Sequence, residues 1–203
     1  MPKQGMGPIR REQILRSATK LIAENGFIAT TMRDLASEAN VSTGMVNHWF
    51  ANKSELLTQT LLYVSESMQG RVDAALRDVP PGRERLQTLV RSCLPTDEFT
   101  NRSWRVWIAA FAEGTRSEEM RKLIEARFEP WHRQLAELLA EVLPDIGPDP
   151  IPLAWQFDAM INGLVIHSLT TQLSLSASEM EATLMRLVDT WVEAADTASA
   201  RTR

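Results

Sequence analysis

Thr43, Gly44, Asn47 and His48 fall within one short stretch, and their chemistry suits the reading of a polymer rather than the breaking of bonds. Thr43 and Asn47 are four residues apart, which puts them on one face of a helix. A hydroxyl or methyl group and a carboxamide at that spacing match contacts to base edges. His48 adds a ring that can meet either a base or a phosphate. Gly44 is a poor helix former, costing about 1 kcal/mol relative to Ala; its expected use is to let the backbone approach a groove or a phosphate closely. Met45, Val46 and Phe50 are expected to face inward.

A second group is aromatic. Trp104, Trp107 and Phe111 stand at i, i+3 and i+7 on one helix face, and Trp131, Trp155 and Phe157 lie in other helices. Core packing accounts for large aromatics at this spacing. The sharper reading of Trp104, Trp107, Phe111, Trp131 and Trp155 is a pocket wall, whose indole faces attract a quaternary ammonium by about 0.5 to 2 kcal/mol each. Catalytic chemistry finds no comparable support. His132 and His167 have no Glu-x-x-His or His-Glu-x-x-His context, and there is no phosphate loop or nucleophile elbow. The single cysteine, Cys93, continues the stripe Leu86, Leu89, Val90 as a core thiol and forms neither an internal disulfide nor a metal cluster. The chain is therefore not expected to be an enzyme, and neither cofactor nor metal is expected.

The elements that must position the first group lie between Thr31 and Phe50. Apolar residues recur at Leu35, Ala36 and Ala39, then resume after Asn40-Val41-Ser42 at Met45 and Val46, which predicts two short helices and a tight turn. Thr31 and Asp34 have capping-box spacing, Asn40 tolerates the left-handed conformation of a sharp exit, and Ser42 can cap the second helix. A helix-turn-helix with small or polar residues on its second outer face enters the DNA major groove. A preceding helix, about Ile9 to Asn25 and stopped by Gly26, completes a three-helix domain. Met1 to Pro8, with Lys3, two glycines and two prolines, is expected to be a flexible arm.

The pattern Thr-x-x-x-Leu-Ala-x-x-Ala-x-Val-Ser-x-Gly, ending in aromatic-Phe-x-x-Lys-x-x-Leu, runs from Thr31 to Leu57 and resembles the DNA-binding domain of the TetR family of transcriptional regulators. Asn40 stands where that family usually has Gly. The opening Met1-Pro2-Lys3, Ile9-Arg10-Arg11 and Ser42-Thr43-Gly44 with His48-Trp49-Phe50 narrow the resemblance to choline-responsive repressors of glycine-betaine synthesis, which usually carry Tyr at the place of Trp49. The narrow match covers roughly the first third of the chain. The resemblance implies that Arg33 reaches the groove and that Thr31, Ser42, Trp49 and Lys53 touch phosphates. It also implies a small-molecule effector, choline or a similar quaternary ammonium compound.

The rest of the chain reads as helices separated by Pro or Gly: about Asn52 to Leu76, Arg83 to Leu94, Phe99 to Glu113, a long one opened by Thr115 and Glu118, then Leu153 to Leu175 and Ser178 to Ala198. Pro130 predicts a kink or break near Glu129. The loop from Pro144 to Pro150 is a boundary. The last two helices are apolar on more than one side, so a homodimer through about 153–175 and 178–198 is expected. The fold class is thus all-α, about nine helices, with a helix-turn-helix DNA-binding domain at 1–55 and a ligand-binding and dimerisation domain at 56–203.

Composition agrees. Of 203 residues, 44% are hydrophobic and 24% charged, and no apolar run approaches membrane-spanning length, so a cytoplasmic protein is expected. The net charge of −4 divides unevenly: residues 1–60 carry seven Lys or Arg against five Asp or Glu, or +2, leaving 15 against 21, or −6. A basic head on an acidic body suits phosphate binding at one end only. The expected function is a ligand-responsive repressor that binds a palindromic duplex DNA operator as a homodimer and is released by its effector through the long helix 52–76. The rival within the same fold is a DNA-bound interaction protein governed by a protein partner.

Overall fold

A computed structural model describes residues 6–143, 149–172 and 175–201, with side chains from Arg10 to Thr197 within those limits. Among the described residues every regular element is helical: α1 (Met6–Ala29), α2 (Met32–Glu38), α3 (Thr43–Trp49), α4 (Lys53–Leu76), α5 (Arg83–Cys93), α6 (Glu98–Gly114), α7 (Glu118–Val142), α8 (Ile151–Thr170) and α9 (Ala177–Arg201). They form two compact units, one from residues 1–67 and 101–124, the other from 68–100 and 125–203.

The first unit holds the helix-turn-helix. Its core joins Ile14, Leu15, Ala18 and Leu21 of α1 to Leu35 and Ala36 of α2, Val46 of α3, Phe50 and Leu56. Val46 and Phe50 are fully buried, and side chains of this size contribute about 1.5 to 3 kcal/mol each when removed from water. Gln13 Nε2 donates to the Ala39 carbonyl at 2.9 Å, tying α1 to the end of α2. Lys20 and Glu38 add an ion pair at 2.7 Å. Helical geometry in α1 is interrupted at Gly26, whose φ of 77° and ψ of 160° put the break where a stop was expected, and a last turn resumes to Ala29; a Cβ there would meet nothing within 4 Å, so the demand for glycine is conformational.

The second unit buries Leu86, Leu89, Val90 and Cys93 of α5, Leu135, Leu138 and Leu139 of α7, Phe157, Ile161 and Val165 of α8, and Met180, Leu184 and Val188 of α9. Burial pushes the Cys93 thiol up to about 12, so it stays protonated and behaves as a packing group. Arg83 pairs with Asp189, and Arg91 with Glu181 at 2.9 Å, across α5 and α9.

Several boundaries differ from the sequence reading. Met6 to Pro8 are helical rather than part of an arm, since Pro is tolerated in a first turn whose N–H groups lack partners anyway; Met1 to Gly5 lie outside the described residues. Ser117, not Thr115, caps α7, accepting from Met120 N at 3.2 Å, while Thr115 donates back to the Ala112 carbonyl. The helix α7 runs through Pro130 without a break. Pro130 and Ala126, whose carbonyl loses its partner, are both exposed, so water can satisfy the freed group. Helix α8 closes at Thr170 instead of Leu175, while α9 extends to Arg201. Most of the loop from Pro144 to Pro150 lies outside the described residues.

Candidate nucleic-acid interface

Three local devices fix α2 and α3. The Thr31 hydroxyl accepts from Asp34 N at 3.1 Å, and Asp34 Oδ2 accepts from Thr31 N at 3.1 Å and from its hydroxyl at 2.6 Å, closing the capping box. The Thr31 hydroxyl, and then its N–H, hold the Asp34 carboxyl below the usual carboxylate range. Asn40 then turns the chain at φ 50°, and Val41 N bonds back to the Ala36 carbonyl at 2.9 Å. Ser42 Oγ accepts from Met45 N at 3.2 Å and starts α3.

With that framework set, Val46 points into the core while Thr43, Gly44, Asn47 and His48 stand exposed. Among the described residues the side chains of Arg33, Thr43 and Asn47 make no hydrogen bond, so their donors and acceptors remain open to another molecule. A Cβ at Gly44 would meet only Ser42 Oγ, at 3.9 Å, so the packing of the head does not require glycine there.

The residues expected to hold phosphates are more constrained. Both polar hydrogens of Thr31 go to Asp34, so a phosphate reaching Thr31 competes with the capping box. Trp49 is half-buried against the head's core and meets His48 edge-on at 5.5 Å between centroids. Lys53 Nζ donates to the Ile28 carbonyl at 2.6 Å and lies 4.9 Å from the Phe27 ring centre. It therefore pins the last turn of α1, with two further N–H donors on the same ammonium. Arg10, which the sequence reading did not count among the DNA contacts, has an exposed guanidinium 3.6 Å from the Met45 sulfur of α3. Only the packing of α1 on α3 reveals that proximity, across 35 residues of sequence.

The aromatic residues divide between the units. Trp104, Trp107 and Phe111 belong to the first: Trp104 is buried, and the Trp107 and Phe111 rings lie 5.6 Å apart. Trp131 and Trp155 belong to the second, where they accompany Asp158, which sequence reasoning missed, and His132, which it weighed only for catalysis. Trp131 Nε1 donates to Asp158 Oδ1 at 2.7 Å, and His132 Nε2 lies 3.1 Å from Asp158 Oδ2. The His132 ring stacks on Phe128 at 5.4 Å and meets Trp155 edge-on at 6.2 Å. One signal was available: Asp158 occupies the apolar stripe Ala154, Ile161, Val165, where a carboxylate needs a reason.

Comparison with known proteins matches both parts of the chain. Residues 14–60 fit the sequence model of bacterial regulatory proteins of the tetR family, and residues 81–193 fit that of the BetI-type transcriptional repressor C-terminal region. The chain belongs to the TetR family. It is a BetI-type, DNA-binding transcriptional regulator, and this family consists of regulators rather than enzymes. The HTH-type transcriptional regulator BetI of Agrobacterium fabrum (strain C58) is 34% identical over 172 residues, covering 83% of this chain and 82% of that protein. The HTH-type transcriptional regulator PksA of Bacillus subtilis (strain 168) is 29% identical and covers 93% of each. A transcriptional regulator from Saccharomonospora viridis, solved in complex with choline, superposes with a TM-score of 0.81 at 28% identity, covering 90% of this chain and 96% of that one. The TetR-like resemblance thus extends well past the first third of the sequence, into α5 to α9.

Proposed function

We propose that this TetR-family chain is a repressor that binds a palindromic operator as a homodimer and is released by a quaternary ammonium effector such as choline. The observation that carries the DNA half is the open polar face of α3, with Thr43 and Asn47 as base readers, Arg33 as a groove contact, and Ser42, Thr31, Trp49 and Lys53 as phosphate contacts that set register. Gly44 and His48 complete that face. One short helix reads too few base pairs for genomic specificity, so two heads on a two-fold axis are needed. Residues 1–55 act as the reading domain and 56–203 as the effector and dimerisation domain.

The dimer forms through α8 and α9. Helix α8 leaves the apolar side chain of Met160 39% exposed, an arrangement that a two-fold partner would cover. The effector assignment is supported by the choline complex of the Saccharomonospora viridis regulator. Trp131 and Trp155 are its proposed aromatic contacts in the second unit; Trp104, Trp107 and Phe111 are further candidates in the first. Helix α4, which runs from Lys53 to Leu76, carries the coupling. A coupling of about 1 to 3 kcal/mol would change operator affinity roughly 5- to 150-fold.

The test is a fluorescence-anisotropy titration of duplex fragments flanking the gene itself, with and without choline. Retention of a fragment and its release by choline are expected. A bound fragment indifferent to choline and to other quaternary amines, together with a protein captured by the DNA-bound form, would favour control by a protein partner instead.

A further inference from the structure

We propose that Asp158 is the counter-charge of an organic-cation site whose walls are Trp131, His132, Phe128 and Trp155. This rests on the effector reading above and deepens it by placing the negative charge that an aromatic set alone lacks. Asp158 lies in the middle of α8 with 8% of its surface exposed. A carboxylate so placed carries a large desolvation cost unless a cation or strong donors compensate it. Its two partners are an indole N–H at 2.7 Å and an imidazole nitrogen at 3.1 Å. The first has no charge, and the second has one only when protonated.

Among the described residues no Lys or Arg forms an ion pair with Asp158, whereas acidic groups elsewhere in the same unit are matched by arginines: Asp189 by Arg83, Glu141 by Arg85 and Glu181 by Arg91. Each carboxylate oxygen accepts one hydrogen bond and retains a further lone pair.

The surroundings select the class of cation. Phe128 and His132 are stacked with an interplanar angle of 19°, and Trp155 approaches the same imidazole edge-on while 57% exposed. A primary ammonium or guanidinium calls for several acceptors in fixed directions, and the cluster offers one carboxylate among rings. A methylated ammonium has no N–H to satisfy. It asks only for a negative charge nearby and π faces around its methyl groups, which this cluster supplies. The open face of Trp155 is the surface such a ligand would cover.

The full-length protein is titrated calorimetrically with choline and with its neutral isostere 3,3-dimethylbutan-1-ol, which has the same shape without the charge. Wild-type protein is expected to bind choline at least about 30-fold more tightly than the isostere, the lower end of what loss of one partner from a buried charge pair costs. In Asp158→Asn that preference should collapse to within a few-fold, while Trp131→Phe, which keeps the carboxylate, should retain it. The aromatic faces also favour the charged ligand, so the variant carries the assignment; should Asp158→Asn fail to fold, the smaller Asp158→Ser takes its place with the same expected loss of preference. Equal binding of choline and isostere by the wild type would overturn the proposal, because His132 would then already balance the carboxylate. An intact preference in Asp158→Asn would overturn it while leaving the effector reading standing. Binding of neither compound by the wild type would remove both.

Discussion

Replacing Gly44 by Ala separates what the head needs for folding from what it needs for DNA. Gly44 sits in the first turn of α3, where Ala is favoured over Gly by up to about 1 kcal/mol. The added methyl group would lie 3.9 Å from Ser42 Oγ and near nothing else, so no strain offsets the gain. For a chain of this length a 1 kcal/mol gain corresponds to a Tm higher by roughly 2 to 4 °C. If the backbone at Gly44 lies against the duplex, the same methyl group becomes an overpacked contact costing about 1 to 3 kcal/mol per head, or roughly 5- to 150-fold in affinity for each head engaged. Thermal melting followed by circular dichroism reads the first effect, and anisotropy titration of an operator duplex the second. A more stable protein with weaker binding is expected. Unchanged affinity would show that Gly44 does not approach DNA, and a lower Tm would refute the argument from open space around its Cβ.

Other perturbations follow the same logic. Asn47→Ala should relax base preference at one position of each half-site by about 1 to 3 kcal/mol; selection from a randomised operator library checks this, and an unaltered preference would remove Asn47 from base readout. Lys53→Met should lower affinity for every sequence and reduce the salt slope by about 0.9 per head, and because its ammonium also holds the Ile28 carbonyl, melting should show a modest loss of stability. Gly26→Ala should destabilise the first unit by about 1 to 3 kcal/mol, since φ 77° with ψ 160° is a region essentially reserved for glycine; denaturant unfolding reads it, and an unchanged midpoint would argue against a conformational demand for glycine at that residue. The Asp34 carboxyl is held low by Thr31, so its contribution is present above the ordinary carboxylate range and lost as pH falls through the depressed folded value. Asp34→Asn should accordingly flatten the acid limb of the stability profile, and a limb identical to wild type would show the box to be dispensable.

The head was legible in the sequence because its determinants are local. Thr31 with Asp34, Asn40, and Ser42 with Met45 are each settled within three or four residues, and the bonds found are the ones that spacing implies. Helix α4 opens in the same way, with Asn52 Oδ1 accepting from Glu55 N at 2.8 Å. Errors arose where neighbours compete or distance intervenes. Thr115 and Ser117 both offer hydroxyls before α7, and nothing in the sequence says which one faces the helix. Pro130 reads as a kink or a break, and of the two the break does not occur, since its solvent-facing position makes the lost bond inexpensive. Asp158 escaped notice because its partners, Trp131 and His132, are 27 and 26 residues away, and only the packing of α7 on α8 unites them. For the same reason Trp131 reads as one more apolar aromatic, when its indole N–H is committed to a carboxylate.

The most direct measurement is the stoichiometry of the DNA complex, by native mass spectrometry on a palindromic fragment from beside the gene. Two chains per duplex, reverting to free dimer and bare DNA as choline is added, is the predicted result. A single chain bound per duplex, or no duplex retained at low salt, would contradict the claim that paired α3 helices do the reading.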